Sequence, residues 1–219
     1  MPVDDRLARA RSAYDVVAES YSRLLPDASI EAPADRGMIE AFASHVNEGD
    51  GRFVLDAGCG TGRMIGLLES LGLSTAGIDM SAGMLEVARR NHPGLDFDVA
   101  ELARLPHADQ QLDGIFAWYS IIHLEPWEIP EVFTEFFRVL APGGYVLVSF
   151  QAGEGRRHIS RAYGHDVSMD AQLFPTAWIS EQLANAGFST VARMTREPGR
   201  LERSPQAVIL ARRPPLQGQ

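Results

Sequence analysis

The stretch Val54-Leu55-Asp56-Ala57-Gly58-Cys59-Gly60-Thr61-Gly62 decides how this chain folds. A short apolar run ending in alternate glycines reads as a buried strand feeding a loop. Glycine takes backbone conformations that other residues resist and lets the chain approach a ligand closely. Met64, Ile65, Leu67, Leu68 and Leu71 then repeat at helical spacing, and the first turn of such a helix offers unpaired N–H groups to an anion. Ser74 to Ile78 reads as the next strand. It ends at Asp79, whose carboxylate is placed to accept hydrogen bonds from ribose hydroxyls. A nucleotide-like ligand follows. The dinucleotide fingerprint G-x-G-x-x-G fails, because its third glycine falls on Arg63 counted from Gly58 and on Ile65 counted from Gly60. Asp56, just ahead of the first glycine, would repel a pyrophosphate and suits a sulfonium or ammonium group.

Outward from this stretch, strands and helices alternate. Helix Ser81 to Asn91, strand Leu95 to Val99, strand Asp113 to Trp118, helix Trp127 to Leu140 and strand Tyr145 to Phe150 follow in turn, the last after the turn Pro142-Gly143-Gly144. Apolar rather than half-polar strands, separated by helices, indicate a parallel sheet covered on both faces. Helix Pro175 to Ala186 ends at Gly187, a glycine C-cap. Strands Thr190 to Thr195 and Gln206 to Arg212 lie too close in sequence for a helical crossover, so they pair antiparallel. Gln151 to Leu173 fits neither pattern and is expected as an insertion over the sheet's edge. Ahead of the glycine stretch, Leu7, Tyr14, Val17, Tyr21 and Leu25 mark one face of a helix stopped by Pro26, and a second helix covers Ala34 to Val46.

Composition narrows the function. The chain has 219 residues, 45% hydrophobic and 22% charged, an ordinary globular balance that needs no disulfide staples. Asp and Glu number 29 against 20 basic residues, all of them arginine, for a formal charge of −9. That charge argues against a nucleic-acid partner. A single cysteine, Cys59, excludes an internal disulfide and a multi-cysteine metal site; it reads as a small structural residue in a tight loop. No apolar run approaches the roughly 20 residues of a membrane helix, and Met1 to Arg11 lacks the apolar centre of a signal peptide. The expectation is a soluble cytoplasmic protein without membrane or nucleic-acid partners, a monomer or homodimer acting on a small molecule.

Residues 54–62 resemble motif I of the class I S-adenosylmethionine-dependent methyltransferases. Further motifs follow in the family's order. Gly77-Ile78-Asp79-Met80-Ser81 is similar to its ribose motif, and Glu101-Leu102-Ala103-Arg104-Leu105-Pro106 to its D-A-x-x-L-P segment, with glutamate in place of the usual aspartate. Leu112-Asp113-Gly114-Ile115-Phe116 with Ile121-Ile122-His123-Leu124 resembles motif IV and its extension, and Leu140-Ala141-Pro142-Gly143-Gly144 the turn before strand five. Tyr14 and Tyr21 resemble the tyrosines of the Y-D-x-x-A-x-x-Y pattern in small-molecule members.

The resemblance implies an α/β, Rossmann-like, doubly wound seven-stranded sheet, mostly parallel with an antiparallel last strand, helices on both faces and an N-terminal helical cap. It implies one methyltransferase domain over 1–219: a helical cap at 1–48, a cofactor-binding core at 49–150, a substrate-cap insertion at 151–174, and a C-terminal helix with paired strands at 175–219. The implied cofactor is S-adenosyl-L-methionine, with S-adenosyl-L-homocysteine as product, and no metal. Asp56, Ala57, Gly58, Gly60, Gly62 and Arg63 would bound the methionine portion with Tyr14 and Tyr21. Asp79 and Met80 would hold the ribose, Glu101 and Leu102 the adenine, and Trp118 the pocket floor, where a ring edge near a sulfonium is favourable. His123 and His165 are the candidate bases, since histidine titrates near neutrality. Phe150, Tyr163, Met169, Phe174 and Trp178 are expected as apolar walls for the acceptor. Arg156, Arg157 and Arg161, with His158, read as a solvated face. The alternatives are a non-catalytic adenosylmethionine-binding protein and a nicotinamide-dependent oxidoreductase, the latter disfavoured by Arg63 and Asp56.

Overall fold

A computed structural model describes residues 3–49, 51–200 and 202–216. Helices α1 (Val3–Leu24) and α2 (Pro33–Asn47) precede β1 (Phe53–Ala57), α3 (Ile65–Ser70), β2 (Ser74–Asp79), α4 (Ala82–Asn91) and β3 (Phe97–Val99). The chain continues through β4 (Leu112–Trp118), α5 (Ile129–Val139), β5 (Leu140–Gln151), β6 (Arg156–Ala162), β7 (His165–Gln172), α6 (Thr176–Asn185), β8 (Ser189–Arg196) and β9 (Gln206–Arg212). Seven strands form one sheet in the order β3-β2-β1-β4-β5-β9-β8. All run parallel except β9, which is antiparallel to both β5 and β8. Strand order reverses between β1 and β4, so the crevice beyond their carboxyl ends is the place for a ligand.

The period-two pattern sorts the core into two layers. Leu55, Ile115, Ala117 and Val148 face the side covered by Phe133 and Phe136 of α5 and Ile179 and Leu183 of α6. Val54, Phe116, Trp118 and Leu147 face the side covered by Ile39, Phe42 and Val46 of α2 and by Leu68 of α3. Both faces are buried, which is why these strands carry apolar residues at consecutive positions. Among the described residues no helix is long and apolar enough to cross a membrane.

Three local expectations need correction. The Pro142-Gly143-Gly144 segment lies within β5, where the pairing with β4 shifts register between Leu112 and Gly114; Gly143, at φ 90°, absorbs the irregularity. The insertion after Phe150 is a β6–β7 hairpin. It leaves from β5, an interior strand, and its β7 packs on α1 and on the short 3-10 turn after β4, so it covers the carboxyl end of the sheet rather than its edge. Phe150 and Phe174 are buried in the core between β5 and α6, with Trp178 stacked on Phe174 at 5.7 Å, and Met169 packs on Ala10 and Ala13 of α1. Only Tyr163 of the expected apolar walls reaches the cavity described below.

Gly114 tests the packing of β4 under α2. A Cβ there would lie 2.9 Å from Phe42 Cζ and 3.0 Å from Val54 Cγ2. Overpacking of this kind costs about 1–3 kcal/mol. Gly114→Ala should therefore lower the melting temperature by about 2–4 °C per kcal/mol in a domain of this size, read by thermal unfolding.

Candidate active site

The loop after β1 and the turn after β4 meet at the switch point. Gly58 has φ 85°, and a Cβ built on it would fall 2.3 Å from the Ser120 Cβ, so only glycine lets the two loops approach. Asp79, at the end of β2, braces the loop: its Oδ2 accepts from the Gly60 N–H at 2.9 Å and its Oδ1 from the Ser81 N–H at 2.8 Å. The Ser81 side chain caps α4 by accepting from the Met84 N–H and itself donates to Asp15 Oδ1 at 2.6 Å; the Gly83 N–H donates to the same oxygen. The middle of α1 is thereby fastened over the site.

These elements enclose a cavity of about 290 Å³, at the small end of the roughly 300–1,000 Å³ range of ligand clefts. Gly58, Gly60, Asp79, Met80, Glu101 and Leu102 line one part. Tyr14, Tyr21, Trp118, Tyr119, Gln151 and Tyr163 line another. Arg63 Nη1 donates to Glu31 at 2.5 Å and its Nε to the Tyr21 hydroxyl at 3.0 Å. His123 is held from both sides. Its Nδ1 lies 2.6 Å from the Asp170 carbonyl oxygen and its Nε2 lies 2.8 Å from the Tyr14 hydroxyl. A carbonyl only accepts, so Nδ1 carries the proton. Burial lowers the His123 pKa, so the ring is neutral near pH 7 and Tyr14 donates to Nε2.

A family model described as a methyltransferase domain matches residues 54–144. The chain is 28% identical over 164 residues to a malonyl-[acyl-carrier protein] O-methyltransferase of Yersinia pestis, an alignment covering 68% of this chain and 57% of that one. It is 25% identical over 230 residues to the protein so named in Serratia marcescens, covering 93% and 89%. The crystal structure of 1,6-didemethyltoxoflavin-N1-methyltransferase from Burkholderia thailandensis, with 1,6-didemethyltoxoflavin and S-adenosylhomocysteine bound, shares the fold with a TM-score of 0.72 at 20% identity, covering 98% and 91%. Residues 54–144 thus match a methyltransferase domain, the chain spans only about half of most of the curated methyltransferases it resembles, and its fold is that of S-adenosylmethionine-dependent methyltransferases.

Of the residues singled out in sequence, the fold brings Tyr14, Tyr21, Gly58, Gly60, Arg63 and Asp79 to the cavity, together with Met80, Glu101, Leu102, Trp118 and His123. Four do not line it. Ala57 is core. Gly62, at φ 75°, packs under His92 behind the loop. Asp56 is 1% exposed at the end of β1, so it acts on a ligand only through its field. His165 sits on β7 with Nε2 at 2.8 Å from Ser20 Oγ, where it ties the hairpin to α1 instead of facing the cavity. Cys59 is buried with its thiol pushed up by desolvation, as a structural residue would be. Asp15, Ser120 and Gln151 escaped the sequence reading. Asp15 carried a signal, as the second residue of the Y-D-x-x-A-x-x-Y pattern; Ser120 and Gln151 carried none.

The cofactor's fit shows in the polar atoms left over. Asp56 Oδ2, Ser120 Oγ and Trp118 Nε1 are buried without hydrogen-bond partners among the described residues, a costly state that native structures mostly avoid. All three lie at the carboxyl ends of β1 and β4; Ser120 and Trp118 line the cavity, where a ligand carrying amino and carboxylate groups would pair them, and Asp56 lies just behind it.

Burial raises Asp56 to about 7 and Asp79 to about 6. The unfolded chain releases these protons near pH 3.9, whereas the folded protein keeps them until pH 6–7, so their stabilising effect is full below about pH 4 and lost as pH rises to about 7. Cofactor-free Asp56→Asn should therefore melt several degrees above wild type at about pH 8, with the gap closing toward pH 4; equal gaps at both pH values would contradict this origin.

Proposed function

We propose that this methyltransferase transfers the methyl group of S-adenosylmethionine to a small-molecule oxygen, nitrogen or carbon nucleophile. The observation that supports this most is one cavity holding both the glycine loop with Asp79 and Glu101 and, beside them, an aromatic chamber closed by α1 and the β6–β7 hairpin. The cofactor supplies an electrophilic methyl on a sulfonium that departs as a neutral thioether, so the protein need not assist the leaving group.

Asp79 and Met80 would hold the ribose, Glu101 and Leu102 the adenine. Gly58, Gly60 and Ser120 would border the methionine end, with the field of Asp56 favouring its positive charge. The enclosing helix and hairpin exclude water, and the chamber walls orient the acceptor, which supplies most of what an in-line displacement requires. Where the nucleophile carries a proton, Tyr14 and His123 form a relay. Tyr14 Oη takes the acceptor's proton while passing its own to His123 Nε2, and the Asp170 carbonyl holds the opposite edge of the resulting imidazolium. Arg63 is engaged by Glu31 and Tyr21 and would set Tyr21 against the cofactor's carboxylate. We place the substrate-closing role in residues 151–174, with 1–48 covering the cofactor core at 49–150.

Calorimetric titration with S-adenosylhomocysteine tests the cofactor assignment. Asp79→Ala should weaken binding by roughly 1.5–3 kcal/mol, the worth of hydrogen bonds to a charged acceptor; unchanged affinity would remove Asp79 from the ribose site. For the relay, Tyr14→Phe and His123→Asn should each lower kcat by about 10²-fold or more on a protonated nucleophile while leaving S-adenosylhomocysteine affinity within a few-fold. Equal kcat in the variants would leave positioning alone as the source of catalysis.

A further inference from the structure

Among the described residues three non-glycine positions hold a positive φ, and two of them are tyrosines lining the cavity: Tyr119 at 56° and Tyr163 at 51°. The third, Gln110, does not line it. Left-handed backbone is uphill for a residue with a Cβ, and such positions gather at functional sites when the surroundings hold them there. Tyr163 and Gly164 are the two central residues of the β6–β7 turn, closed by the Ala162–His165 pair, and both have positive φ. Turns of that kind favour Asn-Gly or Gly-Gly. A tyrosine in the first position makes a poorer turn but places a ring in the cavity, edge-on to Tyr21 with centroids 4.8 Å apart. Tyr119 is pinned through its N–H to Ser149 Oγ at 2.8 Å and stands edge-on to Trp118 at 5.6 Å.

The same chamber offers little to an ion. Its one permanently cationic lining side chain among the described residues, Arg63, is neutralised by Glu31, and His123 is neutral. Of the three acids lining the cavity, Asp79 is committed to two backbone N–H groups, Glu128 to Arg6, and Glu101 is the one assigned above to the adenine. Gln151 adds an uncharged polar group, its Oε1 accepting from Arg157 at 3.2 Å. We propose that this half of the cavity is a subsite for an uncharged, flat ring compound bearing the nucleophile, and that Tyr119 and Tyr163 are its specificity-determining walls. The proposal rests on the methyltransferase reading above and names its acceptor class.

Calorimetry on the S-adenosylhomocysteine complex separates the two layers. Wild type should bind 2-naphthol and bind neither phosphoethanolamine nor tetramethylammonium comparably. Tyr163→Gly should keep S-adenosylhomocysteine affinity and stay folded, since glycine suits φ 51° and offsets part of the lost ring packing, yet lose about tenfold in 2-naphthol affinity with the aromatic wall gone. Tyr163→Phe should restore it. A complex that forms but ignores 2-naphthol, prefers either ion, or binds 2-naphthol equally in Tyr163→Gly overturns the subsite. Failure of S-adenosylhomocysteine to bind at all overturns the methyltransferase reading first, and the subsite with it.

Discussion

Everything at the site depends on the contact between Gly58 and Ser120. The first loop of the sheet and the turn after β4 must lie close enough that no side chain fits between them, since a Cβ on Gly58 would sit 2.3 Å from that of Ser120. This approach brings the ends of β1 and β4 together at the point where strand order reverses, and it sets Asp79, one strand over, within reach of the Gly60 N–H. The glycine stretch thus works as geometry twice: it permits the approach, and it exposes backbone to the cavity.

That geometry carries an electrostatic cost. Asp56 and Asp79 lie at neighbouring strand ends, out of water, and each would be more stable protonated than a surface carboxylate. Asp79 recovers part of the loss through two backbone donors; Asp56 Oδ2 recovers none within the described residues. A scaffold built for stability alone would place neutral residues here. The arrangement makes sense for a site that receives positive charge, and it agrees with the sequence argument that Asp56 is wrong for a pyrophosphate. The cover over the site combines apolar packing, Val17 and Ala18 on Met84 and Val87 and Ala10 and Ala13 on Met169, with polar contacts: Asp15 to Ser81 and Gly83, Ser20 to His165, and Arg6 to Glu125 and Glu128.

The glycine-loop half of the cavity was legible in sequence because it is written in contiguous segments. Strand, glycine loop and helix follow one another over residues 54–71, and Asp79 closes the next strand, so periodicity and spacing locate them. The aromatic half is assembled from distant elements: Tyr14 and Tyr21 from α1, Tyr119 from the turn after β4, Gln151 from the end of β5, Tyr163 from the hairpin tip. Phe150, Phe174 and Trp178 were misplaced for the same reason. Their apolar character is equally consistent with a core between β5 and α6, and only the path of the chain decides. The hairpin escaped because it packs on α1 and not on the sheet; its β6 has polar residues on both faces, which erases the alternation that marks a strand half-buried against a core.

His123 and His165 show how finely this divides. Both are histidines in segments adjoining the cavity, and sequence has no means to rank them. The structure separates them by what occupies Nε2: Tyr14, itself a cavity wall, for one, and Ser20, outside the cavity lining, for the other. The buried ring of His123 lines the cavity and is bonded through Nε2 to the Tyr14 hydroxyl, so the two groups of the proposed relay come from different elements. The Tyr14–His123 contact joins α1 to the turn after β4, so the relay proposed above depends on α1 lying where the structure places it.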